Sequence, residues 1–372
     1  MGNRLQKYKN GRVFREETMK ILIKNGKIWD GECFFNGDVL TDGNKISCIA
    51  DHIEENATFV YDASGKIVSA GLIDIHTHLK GVSEDKFGID ASMCTFPFGV
   101  TAAADASGNK GDKTKLLSLN VKNFVFVAAP VKDNQIDFSR LSEKLKIYGE
   151  KAIGVKLFFD THDKNVWNIN PLKQLCDFAK ENNLKVMVHS SYSPVPMSDI
   201  VNTLSKGDIV THTYHGGVHS CKEEKFACFE TAKKRGVYMD IGFAGHVHTD
   251  FDVLKSAFET KCFPDTISTD ITCMSAYVRG GKYGMTMCMS MAKEAGIPEK
   301  DVFKACTAMP AKVLNIQSGE GYLKVGGPAD IAVLDYCDEG FDLTDASGNR
   351  LQSDKGYRCY LTIADGQIVY RY

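Results

Sequence analysis

From Ile67 onward the sequence keeps one rhythm: a short apolar run, a loop, then an amphipathic stretch, repeated over roughly 250 residues. Runs that read as strands fall at Ile67–Ile75, Val100–Ala104, Phe124–Ala129, Ile153–Phe158, Val186–Val188, Ile209–Thr211, Val237–Ile241 and Thr266–Thr269. Helical periodicity intervenes at Leu141–Tyr148, Pro171–Glu181, Glu223–Arg235 and Val253–Thr260. Two further helices are expected at Tyr283–Ala295 and Asp301–Leu314. Eight such units at this length are the count of a closed (β/α)8 TIM barrel, an α/β fold. An open doubly wound sheet is the alternative, and it would want a Gly-rich phosphate turn after its first strand. That strand ends instead in His76-Thr77-His78.

The flanks have a different texture. Between Ile21 and Val60, short β-patterned runs are broken by Asn25-Gly26 and Asp42-Gly43, both turn formers. β-pattern returns at Gly321–Leu323, Ala329–Leu334, Tyr360–Ile363 and Gln367–Tyr370. Each flank is too short to stand alone, so the two are expected to pair. The division is then a polar tail (1–18), a small β-sandwich domain from both chain ends (19–66 with 317–372), and the barrel (67–316). Met19 heads the first apolar alternation and is a candidate natural start.

Composition narrows the partners. With 45 Lys and Arg against 47 Asp and Glu, the net charge is −2. Neither nucleic acid nor an anionic membrane surface is expected as a partner. Apolar runs such as Phe124–Val131 are too short to span a bilayer, and the first residues lack the apolar region of a secretory signal. Twelve dispersed cysteines, the closest pair of interest being Cys221 and Cys228, fit small buried side chains in a reducing compartment. A cytoplasmic enzyme of a small-molecule substrate is the expectation.

Side chains at i and i+2 of a strand share a face, so His76 and His78 converge from one strand end. In a barrel, functional groups gather at the carboxyl ends of the strands. Reading those ends adds Lys156 on the fourth strand, His189 on the fifth, His212 on the sixth and Asp270 on the eighth. Neutral imidazole and carboxylate are the common ligands of catalytic divalent ions. The lysine has its own chemistry. Desolvated near cations, it loses its proton easily and can take up carbon dioxide as an anionic carbamate. His215 competes with His212 for the sixth strand, and His212 is preferred because it follows Ile209-Val210 closely. His246-Val247-His248 repeats the His-x-His spacing but falls in a Gly-rich loop, where a solvated loop or a substrate contact is expected rather than a second metal site. Lys80, Asn109, His215 and Arg279 are candidate substrate contacts at the barrel mouth.

On these residues the chain resembles the amidohydrolase superfamily, in its binuclear branch of dihydroorotase-like amidohydrolases and deacetylases. The resemblance spans Ile21 to Tyr372. It is carried by Gly71–His78, Gly99-Val100-Thr101, Ile153–Lys156, Val188-His189, Val210–His212, Ser268–Asp270, Thr307–Leu314 and Gly326–Asp330. It implies two divalent ions per chain, zinc or alternatively manganese. His76, His78 and Asp270 would hold the more buried one, His189 and His212 the more exposed one. Lys156, as N6-carboxylysine, would bridge them, and Asp270 would shuttle the proton. The implied reaction is hydrolysis of an amide, cyclic amide or N-acyl bond, and assembly as a homo-oligomer is expected. Dihydroorotases place Arg where this chain has Lys80, which cannot make the same bidentate clamp. Two rivals stand beside this reading: a mononuclear deaminase on the same barrel, and an inactive oligomeric scaffold.

Overall fold

The computed structural model describes residues 8–9, 12–13, 18–83, 86–109, 121–245, 247–278 and 283–372. Two sheets organise them. Seven parallel strands run in the order Tyr238–Met239, Ile209–Thr211, Lys185–His189, Ala152–Phe158, Lys122–Ala128, Val100–Gly108 and Leu72–Thr77. The eighth position, expected as a strand at Thr266–Thr269, is an extended segment held by single bridges. Asp240 bridges Thr266 on one side and Thr77 bridges Ile271 on the other, both parallel. Backbone bonds Ile241 N to Thr266 O, Phe243 N to Ser268 O and Asp270 N to His76 O (2.7 Å) close the ring. Asp270, the residue just after this segment, sits at φ 49°, in the left-handed region.

Strand alternation decides which side chains face the barrel axis. Val125, Val127, Val186, Val188 and Val210 join the large apolar cluster beneath the helices. The residues between them, Phe126, Met187 and Ile209, form a separate cluster with Ala102, Ala104, Ala311 and Leu314. Lys156, His189 and Thr211 follow the second parity, which carries them to the mouth.

The second sheet has eight strands from both chain ends. Its order is Gln367–Arg371, Gly356–Ala364, Ile331–Cys337, Ile67–Ala70, Lys20–Trp29, Phe34–Asp42 and Lys45–Ala50, with Phe59–Asp62 also pairing Lys20–Trp29. It is one continuous sheet over its own core of Ile21, Ile23, Val39, Val68, Val333 and Ile363. In the tail, Tyr8–Lys9 pairs antiparallel with Arg12–Val13.

Two expectations are corrected. The run Ile67–Ile75, read as one strand, is two: Ile67–Ala70 in the small sheet and Leu72–Thr77 in the barrel. Gly71 makes the crossing, and a Cβ there would lie 2.1 Å from Thr101 Oγ1, so no larger residue fits. The helix expected over Asp301–Leu314 is also two, Glu299–Cys306 and Ala308–Val313. Pro310 would clash with the carbonyl of residue 306 in a continuous helix, and restarting at Ala308 puts it in a first turn. A helix at Met197–Thr203 was not anticipated from periodicity. No helix among the described residues is long and apolar enough to cross a membrane.

Candidate metal centre

The strand ends meet at a cavity of about 530 Å³ whose floor holds His76, His78, His189, His212, His248 and Asp270. Asp270 is its centre. Its Oδ1 lies 3.2 Å from His76 Nε2 and 2.8 Å from His78 Nε2. Its Oδ2 faces the other way, 4.0 Å from His212 Nε2 and 3.8 Å from His248 Nε2. Two groups with metal-ligand spacing result: His76, His78 and Asp270, all buried, and His189, His212 and His248. The His189 ring centroid is 4.5 Å from that of His212.

The far nitrogens are held by the scaffold. Thr211 Oγ1 donates its only hydrogen to Asp240 Oδ2 at 2.7 Å, so toward His76 Nδ1, 2.9 Å away, it must accept. His76 therefore carries its proton on Nδ1 and turns a lone pair inward at Nε2. His212 Nδ1 donates to Gly242 O at 2.7 Å, which fixes the same tautomer. A Cβ on Gly242 would meet Thr211 Oγ1 at 2.2 Å, so this close approach needs glycine. His78 Nδ1 lies 3.1 Å from Ser83 Oγ, which donates to buried Asp105 at 2.8 Å. Such outer partners orient ligating imidazoles and raise their basicity. His212, at φ 62°, and Asp270 both occupy the left-handed region, a strain that clusters at functional sites.

Charge states follow from burial. Desolvation, reinforced by Lys156, lowers the His76 pKa to about 3. Burial and then His248 drive His189 and His212 well below the ordinary value. Burial works to raise Asp270, but the imidazoles of His76 and His78 against its Oδ1 hold it well below the carboxylate range. His76, His189 and His212 are thus neutral imidazoles beside one carboxylate, the donor set of a divalent-ion site. Among the described residues His189 Nε2 is buried with no hydrogen-bond partner, as a nitrogen reserved for an absent ligand would be. Lys156 is fully buried, its Nζ 3.4 Å from His76 Nε2, and burial lowers its pKa to about 7. Among the described residues it makes no ion pair, although Asp270 and Asp240 act on it at longer range.

The structure brings His76, His78, Lys156, His189, His212 and Asp270 together. The substrate candidates fare differently. Asn109 lines the cavity, and Lys144 Nζ donates to its Oδ1 at 2.6 Å. Lys80 does not line it: the chain turns back after the strand, Lys80 N bonds Ile89 O, and the side chain is exposed. His215 is buried behind the floor, its Nδ1 accepting from Gly217 N at 3.2 Å. Arg279 and His246 lie outside the described residues. Sequence reasoning missed His248 as part of the floor and missed Lys86, Phe87, Phe158 and Met274 as walls. Met274 and Ser275 enter from a π-helical turn, Met274–Val278, which no periodicity signalled.

A barrel carrying this donor set at its strand ends defines the class of metal-dependent hydrolases. The profile of the amidohydrolase family matches residues 67–369, and the chain belongs to that family. It is a hydrolase acting on carbon–nitrogen bonds. It is 28% identical to a deacetylase of Brucella anthropi over 77% of this chain and 76% of that one. It is 26% identical to a deacetylase of Enterococcus faecalis over 94% and 98%. In fold it is similar to a dihydroorotase crystal structure, with TM-score 0.82 and 24% identity over 95% of this chain and 98% of that one.

Proposed function

We propose that this chain hydrolyses the amide of an N-acylated or cyclic-amide small molecule with two divalent ions bound, as a deacetylase-like amidohydrolase. The observation that carries this reading is the pair of donor groups, one containing Asp270 and the other facing its Oδ2. His76, His78 and Asp270 would hold one ion, His189 and His212 the other. When bound, such ions, zinc or manganese, lower the pKa of water and polarise the scissile carbonyl. Lys156 as its carbamate would supply a second anion beside Asp270. Its buried amine, without an ion-pair partner among the described residues, is the reactive form for carbon dioxide when neutral. Asp270, ionised at neutral pH, takes the proton of the attacking water and passes it to the departing nitrogen as the C–N bond breaks. Phe87 and Phe158, beside His78 and His189, wall the cavity and limit water around the reacting carbonyl.

The deacetylase reading over ring opening is favoured by relatives of that name aligned along most of both chains. The twelve cysteines are all free thiols, which supports a reducing compartment such as the cytoplasm. A homo-oligomer remains part of the proposal. The test is a hydrolysis screen of zinc- and manganese-loaded protein against N-acetyl amino acids, cyclic amides and acyl esters. Turnover of N-acyl substrates supports the reading, and release of ammonia from an aminated ring without amide hydrolysis favours the deaminase rival. Lys156→Ala should lose most bound metal and activity while the fold survives, and small carboxylic acids in trans should restore part of it. Full metal and full rate in Lys156→Ala would contradict the carbamate.

A further inference from the structure

His248 comes from the loop that follows the seventh strand and reaches the floor beside His212. Their ring centroids are 4.0 Å apart, and that of His189 is 4.8 Å from His248. The orientation is specific. Ser191 Oγ lies 3.0 Å from His248 Nδ1, which leaves Nε2 to face the centre. That nitrogen lies 3.8 Å from Asp270 Oδ2, matching the 4.0 Å of His212 Nε2 to the same oxygen. His248 therefore occupies the same relation to Asp270 as a residue already assigned to the outer ion. Its donor atom, with those of His189 and His212, falls within 4.8 Å of the others.

We infer that His248 is a third imidazole ligand of the outer ion, so that this position is a three-nitrogen site. The inference rests on the two-ion reading above and adds a ligand that the family resemblance does not supply. Three neutral imidazoles bring no negative charge of their own. Such a set favours borderline ions, Zn²⁺ or Co²⁺, over the harder Mn²⁺, which prefers oxygen donors. The inner position keeps the Asp270 carboxylate and should discriminate less. The loop location of His248, part-exposed where the other ligands are buried, makes the outer ion the more exchangeable one.

The test is competitive titration of metal-free protein with Zn²⁺ and Mn²⁺ against a chromophoric chelator, for wild type, His248→Gln and His248→Glu. His248→Gln should lose roughly tenfold or more in outer-site Zn²⁺ affinity, while the inner affinity stays as in wild type and reports an intact fold. His248→Glu, the same size but an oxygen donor, should recover the outer ion and move its preference toward Mn²⁺. Unchanged Zn²⁺ affinities in His248→Gln, with only KM raised, would make His248 a substrate contact and overturn the inference alone. Glu and Gln behaving alike would overturn it too. Wild type binding one ion or none would overturn the two-ion reading itself.

Discussion

Asp270 meets two demands at one side chain, ligation through an oxygen and acceptance of a proton. Asn at this position keeps the shape and one ligating oxygen but cannot take up a proton near neutral pH. Asp270→Asn should therefore retain much of its metal and lose on the order of 10²–10⁴-fold in kcat, the usual worth of general acid–base catalysis. Turnover near wild type in metal-replete Asp270→Asn would remove it from proton transfer. His215 shows the opposite behaviour, a histidine kept neutral for stability. Burial, helped by His248 and His219, lowers its pKa from 6.5 to about 4, and among the described residues its buried Nε2 has no hydrogen-bond partner. A depressed folded-state pKa means that the neutral ring's contribution is complete above about pH 6.5 and is lost as pH falls through about 4. Between pH 7 and pH 4, metal-free wild type should lose more in Tm than His215→Asn does. Parallel losses in the two proteins would show that His215 does not titrate with folding.

At the scale of elements, neighbouring strands hold each other's ligands. Thr211 ends one strand, its hydroxyl joining Asp240 near the end of the next to His76 across the barrel. Thr211→Val keeps the β-branched shape and removes the relay. Inner-site zinc affinity should fall about 10–100-fold, the usual cost of losing an outer partner, and Thr211→Ser should restore it. Equal affinity in Thr211→Val would mean that the imidazole is held by packing alone. The same element logic explains what could be read from the chain beforehand. Strand parity paired His76 with His78, and the abrupt ends of the apolar runs picked out Lys156 and His189, because both signals are local. The split at Gly71 was invisible, since Ile67–Ile75 is apolar on both sides of a crossing that depends on Thr101, a residue distant in sequence. His248 was set aside because a loop carries no periodicity, and its place depends on Ser191 and Asp270. Lys80 was judged by its spacing from His78, but the turn that bonds its amide to Ile89 sends the side chain to solvent.

For the whole molecule, the small sheet is tied to the barrel by buried and half-buried contacts. Lys122 donates to both Glu320 and Asp330 at 2.6 Å, and Trp29 Nε1 donates to Thr307 Oγ1 at 3.0 Å. These clamp the start of one barrel strand and the junction between the last two helices, so the sheet built from both chain ends braces the far side of the barrel. What that scaffold delivers is a floor divided by Asp270 into two ligand groups. Its central claim is tested most directly by counting ions. Protein expressed with added zinc and bicarbonate, freed of loosely bound metal and shown to be folded, should contain about two divalent ions per chain by elemental analysis. One ion or none in such protein would contradict the account.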